Sequence, residues 1–173
     1  MKKSFVILML AIAALISCEE DVKVRTSGTD TIDNFVRQEA AMYYVYGFSF
    51  SQGKLVATIY EHDIALIPNR ENILAELEVQ NNNFLPSFLL VGEYSTEEEA
   101  QAAFDNLKTV PNGVWIETIK PVEPNQVWAY RSKGELYTKI RIVKVVNEIQ
   151  GSIVTSECTF QWVHQPDGSK NFQ

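Results

Sequence analysis

Cysteine, histidine and positive charge are all scarce in this sequence, and each shortage closes off some chemistry. Two cysteines in 173 residues allow one disulfide at most, and with two histidines they form no thiolate zinc site of recognisable spacing. Fifteen lysines and arginines stand against 22 aspartates and glutamates, a net charge of −7. A chain of this sign is not built for nucleic acid, whose binders cluster Lys and Arg. No apolar run is long enough to span a bilayer as a helix. The longest, Phe5 to Ile16, has about a dozen residues where roughly 20 are needed. The chain also has no Gly-x-Ser-x-Gly elbow, no phosphate-cradling glycine loop and no His-Glu-x-x-His helix, so an enzyme is not expected. What remains is 46% hydrophobic and 11% aromatic, the composition of a globular protein long enough for one core.

The apolar run follows Lys2 and Lys3 and ends in Leu15-Ile16-Ser17-Cys18. A basic start, a short apolar region and a small residue before a cut mark residues 1–17 as a signal peptide. Leu-Ile-Ser-Cys resembles the bacterial lipobox, in which the cysteine is lipidated and the chain is cut before it. The alternative is a plain secretory signal that contains a cysteine. The expected partner of this end is a membrane, engaged through acyl chains on Cys18 whose buried methylenes contribute ~0.8 kcal/mol each. Losing Lys2 and Lys3 leaves 13 cationic side chains against 22 carboxylates, or −9. It also leaves Cys158 without a disulfide partner. Residues 18–40 are polar and read as a flexible tether. Glu19, Glu20 and Asp21 resemble the acidic signal that Bacteroidetes use to send lipoproteins to the outer surface; a solvated charge run is the plainer reading.

Residues 41–173 read as a single domain, mainly β, with antiparallel sheets and one short covering helix around 96–108. Met42, Tyr44, Tyr46, Phe48 and Phe50 alternate on one face of a strand, and Ser51 to Lys54 make a turn with Gly53 able to take positive φ. Leu55 to Ile67 reads as one or two strands, and Ile73 to Val79 alternates until Asn81-Asn82-Asn83. Pro86, within Phe84 to Val91, argues for an edge strand or a cavity-lining loop. Ser95 is the expected N-cap, closing a capping box with Glu98, and Ala100, Phe104 and Leu107 form the buried stripe. Further strands follow at Val114 to Ile119, Val127 to Arg131 and Leu136 to Val146, the last two joined by a tight turn at Ser132-Lys133-Gly134. Within Leu136 to Val146 the apolar face switches between Ile142 and Val143, which calls for a bulge or a strand covered on both faces. Val154, Cys158, Phe160 and Trp162 define a last strand, stopped by Pro166-Asp167-Gly168.

Three islands in this domain carry a family likeness. Phe48 to Lys54 followed by Asp63-Ile64-Ala65, Val127 to Ile142 with Arg131, Gly134, Tyr137 and Lys139-Ile140-Arg141, and Thr159 to Trp162 with Asp167-Gly168-Ser169 together resemble the HmuY family of haem-binding outer-membrane lipoproteins. The resemblance covers roughly residues 43–173. It implies a mainly β fold, an outer-membrane lipoprotein at the cell surface or periplasmic face, and haem or a related tetrapyrrole, free or on a haem-carrying protein, as ligand. Members of that family hold iron with paired His or paired Met side chains in loops of the middle region. Between Gln80 and Asn125 this chain has neither residue. The haem-binding candidates are therefore its two imidazoles, His62 and His164; Met42 is the one thioether left after cleavage. No metal site apart from haem iron is expected. Lys139 and Arg141 share one face of their strand, and either meet haem propionates or form a solvated face. Cys158, on an apolar face, reads as a buried inert thiol. Asp63 beside His62 suggests a dyad, but consecutive strand residues point to opposite faces. The leading expectation is a non-enzymatic, lipid-anchored binding protein of the cell envelope that captures haem. The alternative is an anchored surface module for a protein or glycan partner, without haem.

Overall fold

A computed structural model describes residues 24–39, 41–69, 74–78, 86–151 and 153–172. The expected signal peptide, Cys18, the first part of the expected tether and the break expected at Asn81–Asn83 lie outside the described residues. In chain order the elements are β1 (Ser27–Asp33), β2 (Arg37–Glu39), β3 (Met42–Tyr44), β4 (Tyr46–Ser49), β5 (Lys54–Ala57), β6 (Ala65–Asn69), β7 (Leu74–Glu78), β8 (Phe88–Glu93), α1 (Glu97–Asn106), β9 (Thr118–Ile119), β10 (Gln126–Arg131), β11 (Tyr137–Gln150) and β12 (Ile153–Gln165). The mainly β expectation with one short helix holds among these residues. An antiparallel five-stranded sheet in the order β1-β12-β11-β10-β8 is accompanied by the hairpins β2-β3 and β4-β5 and by a three-stranded sheet, β6-β7-β9.

The spine is the β11-β12 hairpin, paired from Tyr137 and Gln165 down to Gln150 and Ile153. Its register shifts between Ile142 and Lys144. This is the bulge that the change of apolar face required. Ahead of it Ile140 and Ile142 lie opposite Trp162 and Phe160; beyond it Val145 lies opposite Cys158, so one extra residue returns an odd-numbered valine to the face of the even-numbered isoleucines. Phe48 and Phe50, with Ile64 and Leu66 of the adjoining segment, close over that face. The Phe48 ring meets Phe50, Phe160 and Trp162 edge-on at centroid distances of 5.4, 5.3 and 5.2 Å, a geometry favoured by the aromatic quadrupole.

The other face of the sheet is covered by α1. Ala100 and Phe104 are buried there against Val127, with Val91 and Val163 beside them. The cap sits one residue beyond the expected Ser95. Thr96 Oγ1 accepts the Glu99 N–H at 3.2 Å, and the Glu99 carboxylate accepts the N–H groups of both Thr96 and Ser95. Lys139 and Arg141 are not a solvated face, because the helix lies over them. They are 4% and 5% exposed. Lys139 Nζ donates to the carbonyls of Phe104 at 2.8 Å and Leu107 at 3.3 Å, placing a cation on the negative end of the helix. Arg141 donates to Gln161 and lies 3.6 Å from Glu97.

Three further expectations change. Part of the presumed tether, Ser27–Asp33, is strand β1, paired with β12 along its whole length. Its one large apolar residue, Ile32, is buried, Asp30 accepts the Trp162 indole N–H at 2.8 Å, and Arg25 just before it donates to the Gly53 carbonyl. Backbone pairing at a sheet edge thus orders a segment whose composition alone reads as linker. The strand expected from Met42 to Phe50 breaks at Val45, because β3 pairs with β2 while β4 pairs with β5. Of the strand expected at Val114 to Ile119, only Thr118–Ile119 and a bridge from Ile116 to Phe88 form. Edge strand β8, directly after Pro86 and Ser87, agrees with the reading of that proline.

Candidate functional site

Residues 58–63 leave β5 through a turn in which the Tyr60 N–H donates to the Ala57 carbonyl at 2.8 Å. The far end is pinned to β4: the Asp63 N–H donates to the Phe48 carbonyl at 2.8 Å, and the Asp63 carboxylate accepts the Phe50 N–H at 2.7 Å. Its other oxygen accepts the Tyr130 hydroxyl at 3.0 Å. Burial and this neighbouring carboxylate push the Tyr130 hydroxyl well above its usual pKa. Asp63 therefore serves as the post joining loop, β4 and β10.

The loop, Ser49 to Gln52 and the Ser132–Gly134 turn enclose a cleft of about 660 Å³. Its walls carry the hydroxyls of Ser49, Ser51, Thr58, Tyr60, Tyr130 and Ser132, the Gln52 amide and the charges of Glu61, Asp63 and Lys133. Ile59 and Tyr60 stand 53% and 65% exposed, so an apolar body is presented to whatever enters. A hydroxyl-rich wall with an exposed tyrosine offers many hydrogen bonds and one stacking surface.

His62 and Asp63 both line this cleft, since they lie in a loop and not on alternate faces of a strand. No hydrogen bond joins them. The His62 ring lies against Gly47, where a Cβ would come within 2.7 Å of its Cδ2. Only glycine leaves room for it there. His62 Nδ1 lies 3.1 Å from the Tyr60 carbonyl, which it reaches as donor, leaving Nε2 without a partner among the described residues. Burial holds this imidazole below its usual pKa, and the Tyr60 carbonyl and Asp63 offset that in part.

His164 lies elsewhere. It continues the inward alternation of Phe160 and Trp162, stacks on Phe50 with centroids 6.3 Å apart and shares a 2.8 Å hydrogen bond between Nδ1 and Thr138 Oγ1. Its Nε2 is buried and has no partner among the described residues, and the side chain does not line the cleft. The structure does not bring the two imidazoles to one cavity. Met42 is 55% exposed on β3 and does not line it either. The residues present do not fit haem clamped between two axial side chains, and the polar walls are unlike the apolar faces a porphyrin ring needs. Lys139 and Arg141, buried beneath the helix, do not line the cleft. Cys158 is fully buried, and burial pushes its thiol up to about 12, which keeps it inert at neutral pH.

Among the described residues there is no group of three or more His, Cys, Asp and Glu side chains that could hold a metal ion, and no helix long and apolar enough to cross a membrane. The residues that shape the cleft, Tyr60, Asp63, Tyr130 and the Ser132 turn, come from separate segments. In sequence the hints are the adjacent His62 and Asp63 and the turn chemistry at Ser51–Gly53 and Ser132–Gly134. No protein-family model matches the chain, and no curated protein matches it.

Proposed function

We propose that this chain is a non-enzymatic binding protein of the cell envelope, held at an outer membrane through lipid on Cys18, with its ligand in the cleft under residues 58–63. The order of the three HmuY-like islands and the lipobox support the anchored-capture reading. The observation that carries the ligand class is the wall of the cleft, five hydroxyl side chains and an amide around an exposed Tyr60. Such a surface suits a hydroxylated ligand such as a glycan, taken at the cell surface or the periplasmic face. The acidic charge of the chain argues against nucleic acid, and the inert Cys158 and the absence of a hydrogen bond between His62 and Asp63 argue against catalysis.

One observation favours haem instead, namely that His62 lines the cleft and its Nε2 has no partner among the described residues. The two readings separate in parallel titrations of the full-length chain in detergent micelles. Under the glycan reading, a panel of neutral oligosaccharides contains a saturable binder that Tyr60→Ala weakens by roughly tenfold or more, and ferric haem gives no shifted Soret band. A Soret shift that His62→Ala abolishes would overturn that reading and establish the haem one. The anchor has its own check, since Cys18→Ala should abolish fatty-acid labelling.

A further inference from the structure

Arg131 differs from the other arginines among the described residues. Arg25, Arg37 and Arg141 each have a carboxylate within reach, at Asp30, Asp33 and Glu97. Among the described residues Arg131 has none within 4.0 Å, nor has Lys170, which lines the same cleft of about 260 Å³. Arg131 is thus the one arginine among the described residues left without an acid, on a chain whose net charge is −7.

Both are held in place. Arg131 ends β10 opposite Tyr137 of β11, on the face of the sheet away from Tyr130 and the larger cleft. Its guanidinium lies 4.6 Å from the centre of the Trp115 ring, and Nη2 donates to the Pro86 carbonyl at 3.1 Å. That leaves the remaining N–H groups of a fixed planar fork unused. Lys170 stands over the Tyr137 ring at 5.8 Å, on a C-terminal segment tied to the loop after α1: the Val110 N–H donates to the Lys170 carbonyl and the Phe172 N–H to the Lys108 carbonyl, each at 2.8 Å. Asn112 and Gly113 complete the rim.

We propose that this cleft is a carboxylate-binding site. In it the free edge of the Arg131 guanidinium takes the carboxylate through paired N–H donors, Lys170 adds the second positive charge, and Trp115 walls the ligand's body. Planar, immobilised guanidinium is the side chain best matched to the two oxygens of a carboxylate. The site is independent of what the larger cleft holds. Its ligand is a free aromatic acid or the carboxylate of an acidic sugar.

The test follows the indole N–H resonances of the full-length, ¹⁵N-labelled chain in detergent micelles at low ionic strength. Sodium benzoate and sodium glucuronate are titrated against benzamide and glucose. The Trp115 resonance, identified by its loss in Trp115→Phe, should move saturably with a carboxylate and not with its neutral counterpart. The resonances of Trp128 and Trp162, whose N–H groups are bonded to Gln126 and Asp30, should stay in place. A response to benzoate alone assigns an aromatic acid, and to glucuronate alone an acidic sugar. Arg131→Gln should weaken binding by roughly tenfold or more, and Lys170→Gln by about two- to fivefold. Unmoved Trp128 and Trp162 resonances report that each variant is folded. The proposal is overturned if neither carboxylate moves Trp115, if inorganic phosphate alone does so, or if Arg131→Gln and Lys170→Gln both bind as the parent does.

Discussion

On one face of the five-stranded sheet Phe48, Phe50, Phe160 and Trp162 pack ring against ring; on the other, Lys139 and Arg141 lie almost as deeply buried beneath α1. The same three strands, β10 to β12, supply both faces. The first face is held by loss of water from apolar surface and by ring-edge contacts. The second is held by a lysine that donates to helix carbonyls and an arginine that donates to Gln161 and pairs with Glu97 at 3.6 Å, its buried Nη1 making no hydrogen bond among the described residues. Burial therefore has two meanings here. On the aromatic face it follows from side-chain chemistry, and on the helix face it follows from what sits on top.

Substitutions can break that comparison from either side. The largest effect is expected at Phe48, fully buried and touching three other rings. Phe48→Ala should cost about 3–5 kcal/mol through lost transfer energy and a cavity, read as a lower midpoint in denaturant unfolding. A cost below about 1 kcal/mol would mean that this face collapses around the gap and is not closely packed. On the helix face, Lys139→Met keeps the aliphatic stem, whose ammonium end lies 4.6 Å from the Phe104 ring centre, and removes the charge. Leaving the Phe104 and Leu107 carbonyls uncapped should cost about 2 kcal/mol. If Lys139→Met is as stable as the parent while Lys139→Ala is not, the stem does the holding and the contrast between the two faces dissolves.

The same contrast explains how far the chain could be read in advance. Alternation from Val154 to Trp162, its switch after Ile142 and the apolar stripe of the helix are local patterns, so the spine, its bulge and α1 were legible. Alternation also put Lys139 and Arg141 on one face, yet no local pattern says that a helix forty residues away in sequence will cover it. β1 was missed for the complementary reason. Ser27–Asp33 contributes a single buried apolar side chain, Ile32, and its order comes from backbone pairing with a strand more than a hundred residues later. The site was less legible still. His62 was singled out, but its setting depends on Gly47 leaving room for the ring, and Asp63 took its role from Tyr130 and the Phe50 N–H. Arg131 and Lys170 meet only because the C-terminal segment is tied to the loop after α1.

The smallest effect expected is a pH dependence on the aromatic face. His164 lies there 4% exposed, stacked on Phe50, and burial holds its imidazole below the usual 6.5, with Asp63 offsetting part of that loss. The native state thus gives up this proton more readily than the unfolded chain does. Stability should be full above about 6.5, fall as the pH drops from there towards the lower native value, and stay at the reduced level once both states are protonated. His62 is shifted in the same direction and adds to the slope. Urea midpoints measured from pH 7 to pH 5 should fall in the parent and fall less in His164→Gln, with His62→Gln removing the remaining share. Because one partly compensated proton is involved at each site, the change is expected to be below that of either substitution above. An acid slope unaltered by His164→Gln would mean that water reaches the ring, and the face opposite α1 would then not be the dry one.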